Sequence, residues 1–134
     1  MNGDSKQWIE MAEGDFEGAV QLSKKRSRRT AHLLCFACQQ SAEKYLKAFL
    51  VENNVRFSKT HDLELALLPL CANIDGEFQV MREYLKRLDP YAVEFRYSGE
   101  EIELPDVRAA LEAAKKVRRF VRSKLGLQSQ KRLL

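Results

Sequence analysis

The sequence predicts an all-α fold, an up-and-down bundle of four or five helices. Apolar residues recur at helical spacing over most of the chain, glycine and proline stand between these stretches, and no segment of four or more residues shows the alternation typical of a strand. The 134 residues, 45% of them hydrophobic and 31% charged, suit one domain with a single core. We therefore expect one domain over 1–134, with its core at about 5–126 and a basic tail at 127–134.

The first helix is predicted from about Ser5 to Lys25, with Asp4 as its N-cap. Its apolar residues form one stripe at helical spacing: Trp8, Met11, Ala12, Ala19 and Leu22. Asp15 falls on the same stripe, and a carboxylate on an apolar face needs a hydrogen-bond partner. We therefore expect Asp15 to bond a tyrosine, an arginine or a backbone N–H, which we favour over a catalytic role.

The second helix is predicted from about Ala31 to Asn53 and is apolar on nearly all its sides, which is typical of a helix at the centre of a bundle or at a subunit interface. Its main stripe is predicted to be Leu34, Cys38, Ser41, Ala42, Tyr45, Ala48 and Phe49. Polar residues on its flanks need partners, which a facing copy of the same helix would supply: Gln39, Gln40, Glu43, Lys44 and Lys47. The sequence thus predicts a homodimer through the long central helices.

Three further helices are predicted in the second half of the chain, at about 60–73, 77–89 and 105–126. Thr60 is the expected N-cap of the first, Pro90 ends the second, and Pro105 stands in the first turn of the third, where its missing N–H costs nothing. Gly126 is expected to end the last helix. The stretch Tyr91–Gly99 is rich in aromatic residues and shows no helical period.

The formal net charge of +4 is unevenly distributed. Five cations stand within residues 24–29, and residues 105–134 carry nine cations against two carboxylates. Such a basic surface attracts polyanions, although lysine and arginine also serve simply to solvate helix faces, and the sequence leaves both interpretations open. If the last helix contacts phosphates, we expect weak, sequence-independent nucleic-acid binding through the cations that lie off its apolar stripe: Lys115, Lys116, Arg119 and Arg122.

Several classes of protein and site find no support in the sequence. The longest apolar run, Leu33–Cys38, has six residues, far short of the roughly 20 that cross a bilayer, and the N-terminus lacks a signal pattern. Three cysteines, an odd count, stand in apolar surroundings, which is typical of reduced thiols in the cytosol. No glycine-rich phosphate loop and no metal-spaced Cys/His cluster occurs. We therefore expect a cytoplasmic protein without a membrane segment, a metal or another cofactor.

Three local patterns coincide along the chain. They are Trp8-x3-Ala12-x2-Asp15 in the first helix, the segment Cys35–Ala48 with Gln39-Gln40-x2-Glu43-Lys44 within it, and Lys59-Thr60-His61-Asp62-Leu63 before the third helix. With these patterns the sequence resembles a HEPN domain, over about 7–125, of the minimal prokaryotic kind that is often encoded beside a small nucleotidyltransferase. The resemblance implies a helical bundle that dimerises and has a nucleotide- or RNA-related role.

The resemblance implies one of two functions. Many members of the family carry an Arg-x4–6-His motif with metal-independent ribonuclease activity, whereas others lack it and serve as the non-catalytic partner of a nucleotidyltransferase. Arg56-x4-His61 and Arg26-x5-His32 fit the spacing, but in ribonuclease members the motif lies at the final helix, where this chain has Arg96-Tyr97 and no histidine. The leading interpretation is therefore a binding subunit for a nucleotide or RNA, paired with a small nucleotidyltransferase in a toxin–antitoxin-like system.

The alternative is a metal-independent endoribonuclease toxin. In it, Arg56 or Arg96 would stabilise the developing phosphorane charge, and His61 would act as acid or base. For His61 a structural role, in which it fixes the preceding loop, is favoured over ligand contact and over catalysis, and Arg96 could instead pair with a carboxylate such as Asp15. The residues expected to contact a bound ligand are Asp15, Gln40, Lys44, His61, Asp62, Arg96 and Tyr97.

Overall fold

The computed structural model describes residues 1–25, 27–93 and 101–127. Within these ranges the chain is helical and contains no strand. The five α-helices are α1 (Gly3–Lys25), α2 (Ala31–Glu52), α3 (Leu68–Ile74), α4 (Arg82–Leu88) and α5 (Leu104–Lys124). Short 3₁₀ segments at Arg28–Thr30, Gly76–Met81 and Asp89–Tyr91 and a π-turn at Leu63–Leu67 connect them. The predicted all-α fold is confirmed.

α2 is the central helix of the bundle. It runs antiparallel to α1, since the backbone N–H of Asn2 donates to Glu52 Oε1 at the end of α2 (3.1 Å). The predicted apolar stripe of α2 is buried throughout, and Leu46 and Leu50 on its other sides are buried as well. Because α1, α3 and α5 all pack against it, a single chain covers these apolar sides. Near the start of α2, however, Leu33 is 44% exposed. The chain therefore covers most of the apolar excess of α2 by itself, and the homodimer stays a prediction.

The core lies where the long helices meet the short segments of the second half. Phe78, fully buried in the segment before α4, packs its ring 4.5 Å from that of Phe49 and 4.9 Å from that of Phe120, measured between centroids. None of the three cysteines forms a disulfide, and all three are buried in the same core. Burial raises the pKa of the Cys71 thiol to about 12, so this side chain packs as a small apolar group.

α1 begins earlier than predicted and buries a partly different face. The Asn2 side chain, rather than Asp4, accepts a hydrogen bond from the Ser5 N–H (2.7 Å), and the helix therefore begins at Gly3. Its buried apolar face consists of Ile9, Ala12, Phe16 and Ala19. Met11, which the predicted stripe includes, is 40% exposed. The predicted stripe thus shares Ala12 and Ala19 with the buried face but misses Ile9 and Phe16.

The third predicted helix, which Pro69 is expected to kink or shorten, is reduced to α3 and is preceded by a π-turn. Asp62, rather than Thr60, caps it, because the Asp62 carboxylate accepts a hydrogen bond from the Leu65 N–H (2.9 Å). Pro69 has no N–H to offer the Leu65 carbonyl, which interrupts the α-helical hydrogen-bond pattern here. Hydrogen bonds of the π type, from residue i to residue i−5, replace it, as in the bond from the Leu67 N–H to the Asp62 carbonyl (3.2 Å). Regular helix follows only in α3.

The last two predicted helices follow the proline and glycine signals. The segment predicted at 77–89 divides into a 3₁₀ stretch and α4, and Pro90 lies in the 3₁₀ turn that follows. Pro105 occupies the first turn of α5 as predicted. At its other end Gly126 has a φ of +74°, and the Leu127 N–H donates to the Arg122 carbonyl (2.8 Å). This is a C-terminal cap that favours glycine.

Candidate functional site

The polar side chains on the flank of α2 find their partners within the chain. Glu43, whose side chain is 4% exposed, accepts a hydrogen bond from Lys47 Nζ (2.9 Å) and lies 3.0 Å from His61 Nδ1. The Gln40 amide donates to Gln39 Oε1 (2.8 Å). The fully buried Gln39 amide in turn donates to the His61 carbonyl (2.9 Å). The sequence predicts a facing copy of α2 because these polar groups need partners. Since the chain itself supplies the partners, this argument for a second copy no longer holds.

His61 lies in the extended segment before the π-turn, not in the first helical turn where the sequence places it. Its backbone carbonyl and its ring both bond α2, so His61 attaches the loop at 53–62 to the central helix. The ring remains 66% exposed. Nδ1 faces Glu43, and no described residue bonds Nε2. A buried carboxylate thus orients an imidazole whose second nitrogen is open to solvent, which is the arrangement of a general acid or base.

The segment around His61 is fixed from a second side by Asp89. The Asp89 carboxylate accepts hydrogen bonds from the backbone N–H groups of Leu63 (2.8 Å) and Glu64 (3.2 Å). Burial raises the pKa of Asp89, and the neighbouring carboxylates of Asp62 and Glu64 raise it further. Asp62, which the sequence offers as a ligand contact, is occupied as the cap described above. These bonds hold the histidine loop in one place.

Lys47 is a buried cation held by two aromatic rings and a carboxylate. Its residue is 7% exposed, and its Nζ lies 5.6 Å from the centroid of the Trp8 ring and 5.5 Å from that of Phe57. The two rings meet edge to face, 6.2 Å apart between centroids. Together with Glu43 they replace the solvation that an ammonium group loses on burial. Trp8 therefore belongs to this cluster rather than to an apolar stripe alone.

The structure pairs Asp15 with Lys44 at 2.5 Å, with side chains 29% and 21% exposed. The prediction that Asp15 has a hydrogen-bond partner is confirmed. The predicted type of partner, a tyrosine, an arginine or a backbone N–H, is wrong, because the partner is a lysine. Lys44 follows Glu43 on α2, and the pair therefore lies beside the buried carboxylate. Arg96, the other partner considered for Asp15, lies outside the described residues together with Tyr97 and Arg26.

A carboxylate that the sequence analysis does not single out makes the bonds expected of Asp15. Glu13 on α1 accepts hydrogen bonds from Arg118 Nε (2.6 Å), Arg118 Nη2 (2.8 Å) and the Tyr45 hydroxyl. Arg122 Nη1 lies 3.8 Å from Glu13 and donates to the Tyr45 oxygen (3.3 Å). We call Glu13, Tyr45, Arg118 and Arg122 the Glu13 cluster. It joins α1, α2 and α5 through one buried polar network.

Charge and burial act against each other at the Glu13 cluster. Burial by itself would raise the pKa of Glu13, but hydrogen bonds from Arg118 and Tyr45 and the charges of both arginines outweigh it and lower that pKa below its ordinary value of 4.5. The same bond raises the pKa of Arg118, and burial with the Glu13 bond raises the pKa of Tyr45. The sequence contains a signal for the buried position of these two arginines. Arg118 and Arg122 stand one helical turn apart, beside the apolar Val117 and Val121.

The solvent face of α5 carries a basic ridge that we define as Lys115, Lys116 and Arg119. All three are exposed, and no described carboxylate pairs with them. Arg122, which the sequence places with them, is instead 7% exposed in the Glu13 cluster. Its guanidinium is drawn inward by Tyr45 and Glu13, so the prediction that it contacts nucleic acid from the surface is wrong. Three of the four predicted contacts remain available on one face.

Arg56, the other described candidate for catalysis, is exposed in the loop five residues before His61. Within the described ranges no group of three His, Cys, Asp or Glu side chains is placed to hold a metal ion. No helix in the described part of the chain is long and apolar enough to span a bilayer.

Comparison with known proteins agrees with this architecture. A family model of the HEPN domain matches residues 5–124. Among solved structures, the crystal structure of an archaeal HEPN homologue superposes with a TM-score of 0.67 over 90% of this chain and 96% of that chain, at 23% sequence identity. No curated protein matches significantly. The family match spans α1 to α5, including the Glu43 and Glu13 networks, and the chain therefore belongs to the HEPN domain family.

Proposed function

We propose that this HEPN domain is a binding subunit that contacts RNA through the basic ridge of α5. The observation that carries the proposal is the ridge itself: three exposed cations on one helix face without a described carboxylate partner. α5 is anchored from behind, because Arg118 and Arg122 bond Glu13 and Tyr45 in the interior. The helix thus presents its outer cations on a fixed support, as contacts to a phosphate backbone require.

Binding of this kind is electrostatic and does not depend on base sequence. Each cation that neutralises a phosphate releases condensed counterions, so the affinity falls as salt rises. For a ridge of this size we expect a non-specific dissociation constant of roughly 10⁻⁴–10⁻⁶ M at physiological salt. The nucleotide- or RNA-related role of the HEPN family is consistent with this ligand.

The first prediction concerns reversal of the ridge charges. The double variant Lys116→Glu/Arg119→Glu is expected to bind a short fluorescein-labelled single-stranded RNA about tenfold or more weakly than the wild type at low salt. The salt dependence, as the slope of log affinity against log salt, should fall by about 1 for each phosphate that the variant no longer neutralises. Fluorescence anisotropy titrations at low and moderate salt measure both quantities.

A matched control separates the ridge from the net charge. Lys6→Glu/Lys59→Glu changes the formal charge by the same amount at two exposed positions, one at the start of α1 and one in the loop before the π-turn. We expect this variant to keep most of the wild-type affinity, since neither side chain belongs to the ridge. Equal losses in the two variants, or no loss in the ridge variant, would contradict the proposal.

We also propose that the subunit forms a homodimer and associates with a small nucleotidyltransferase in a toxin–antitoxin-like pair, in the cytoplasm. The support is the resemblance in the segment around Gln39-Gln40-x2-Glu43-Lys44 and the lack of a histidine late in the sequence. Co-expression with a nucleotidyltransferase encoded by an adjacent gene, followed by light scattering, should give a complex containing two copies of the 15.5 kDa chain. A molar mass of one chain, without the second protein, would contradict both parts.

A second function, metal-independent RNA cleavage, is favoured by one observation. His61 bonds the buried Glu43 through Nδ1 and keeps an exposed ring, so its other nitrogen is open to a ribose hydroxyl or a leaving oxygen. Arg56, exposed in the same loop, would supply the cation that stabilises the phosphorane. This arrangement would act without a metal.

Incubation of the purified protein with structured and unstructured RNA in EDTA decides between the two functions. Our proposal of a binding subunit expects the RNA to remain intact. Cleavage that is lost in His61→Ala, with an unchanged circular dichroism spectrum, would overturn it in favour of the enzyme. Arg56→Ala should then reduce the rate as well, whereas Lys24→Ala, at the end of α1 that lies farthest from this loop, should not.

A further inference from the structure

A groove runs between the end of α1, the start of α2 and the start of α5. Its volume is about 550 Å³, and its apolar walls are formed by Leu22, Leu34, Ile102, Leu104, Val107 and Leu111. Leu104 is 55% exposed although it faces this apolar space. The groove lies away from the Glu43 network, which binds the loop before α3 to the middle of α2. No residue of the proposed RNA ridge lines it.

The rim of the groove carries an excess of positive charge. At this end of the bundle the exposed cations outnumber the exposed carboxylates of the described residues, five (Lys24, Lys25, Arg28, Arg29 and Arg108) to three (Glu101, Glu103 and Asp106). Arg28 pairs with Glu101 at 3.2 Å, and Glu103 lines the groove. The cations left without a described carboxylate partner at this end of the bundle are Lys24, Lys25, Arg29 and Arg108, all exposed. Of these, Arg108 lines the groove directly. A ligand for the groove should therefore be apolar at its centre and acidic at its edges.

The chemistry of the walls distinguishes between two acidic ligands. Single-stranded nucleic acids gain much of their affinity from bases that stack on aromatic rings. None of the described residues that line the groove is aromatic, and its apolar lining is made of aliphatic side chains, with Ser23, Ser27 and charged residues beside them. Such walls suit the leucine-type side chains that one face of an amphipathic helix inserts into a hydrophobic groove. The groove therefore favours a peptide over a base.

We propose that this groove docks an acidic amphipathic helix of a partner protein. The stretch of α5 that forms one wall, Leu104–Leu111, makes two turns and is about 10 Å long. This length matches two to three turns of a bound helix, with apolar residues at i, i+3, i+4 and i+7 facing inward. Acidic residues on both sides of that stripe meet Arg108 and the cations at the end of α1. The proposal is independent of RNA binding by the ridge.

Synthetic peptides test the proposal directly. The probe is a fluorescein-labelled peptide with leucine at i, i+3, i+4 and i+7 and glutamate at most other positions. One control peptide keeps the leucines and replaces glutamate by lysine, and a second keeps the glutamates and replaces leucine by serine. We expect the full-length protein to bind the first peptide about tenfold or more tightly than either control.

Variants of the protein test whether the acidic peptide binds in the groove. Leu104→Asp and Arg108→Glu change exposed side chains and are expected to weaken binding of the acidic peptide by about fivefold or more. Leu65→Asp changes a side chain that is 73% exposed on the π-turn, outside the groove, and should leave the affinity unchanged. Circular dichroism establishes that each variant is folded.

Three results would overturn the proposal. One is the absence of measurable binding of the acidic peptide up to about 1 mM, the range of very weak association. Another is equal affinity for the glutamate–serine peptide, which would reduce the effect to charge alone. The third is displacement of the peptide by a single-stranded RNA whose own affinity falls in Leu104→Asp, since the groove would then be a nucleic-acid site.

Discussion

Replacing Glu13 by glutamine is expected to lower the free energy of unfolding by about 3–5 kcal/mol, the loss typical of removing one partner from a buried ion pair. The side chain of Arg118, 2% exposed, would remain in the interior without a carboxylate. The Tyr45 hydroxyl would also exchange a charged acceptor for a neutral amide. Urea denaturation followed by circular dichroism measures the change, provided that the slope with denaturant is the same in both proteins.

Asp15→Asn is the matched control for this variant. It changes another carboxylate of α1 that pairs with a cation of a neighbouring helix, but the Asp15–Lys44 pair is 29% and 21% exposed. Solvent screens such a pair and can solvate the lysine that is left behind, so we expect a loss of about 1 kcal/mol or less. Equal losses for the two variants would show that burial of the arginines does not govern the energetics of the Glu13 cluster.

The dependence of stability on pH provides a second measurement of the same interaction. Although burial acts to raise it, the pKa of Glu13 in the folded chain lies below 4.5, its ordinary value, because Arg118, Tyr45 and Arg122 favour the charged form. The stabilisation is therefore fully present above that ordinary pKa and is lost as the pH falls through the lowered folded pKa. The difference between the wild type and Glu13→Gln should narrow in this acid range. A difference that is independent of pH would contradict the assignment.

The helices were predictable because their signals are local. Periodic apolar residues and the positions of Pro105 and Gly126 fix α5, and the all-round apolar character of α2 indicates its central place. The predicted helix starts are wrong where a capping side chain determines the first residue of the helix. Asn2 caps α1, and Asp62 caps the π-turn, yet neighbouring Asp4 and Thr60 are equally good caps by residue type. Propensity cannot choose between adjacent capping residues.

The polar networks were less predictable because they depend on contacts that are distant in sequence. The flanking residues of α2 need partners, but the sequence does not say whether these come from a second chain or from a loop of the same one. His61, 18 residues beyond Glu43, supplies one of them. Likewise, Glu13 rather than Asp15 is the carboxylate of α1 that faces the arginines of α5, and Arg122 turns inward to meet it. A periodic pattern alone does not fix which carboxylate of α1 faces α5.

Glu43→Gln is expected to destabilise the fold by about 3 kcal/mol or more, because it leaves Lys47 buried without a counter-charge. The rings of Trp8 and Phe57 retain part of the stabilisation of the ammonium group, which places the loss toward the lower end of the usual range. The double variant Glu43→Leu/Lys47→Met removes both charges and should recover much of this loss, since apolar residues of similar size replace the pair. Urea denaturation measures all three proteins.

His61→Ala should behave differently, although His61 bonds the same carboxylate. Its ring is 66% exposed, so water can take the place of the imidazole, and Glu43 keeps Lys47 as its partner; we expect a loss of about 1 kcal/mol or less. The two variants thus separate the buried half of the network, which stabilises the fold, from the exposed half, which is free for chemistry. If His61→Ala unfolds the chain as much as Glu43→Gln does, His61 is a structural residue and the ribonuclease hypothesis loses its acid or base. If it is nearly neutral, any change in RNA binding or cleavage in this variant reports on the imidazole itself.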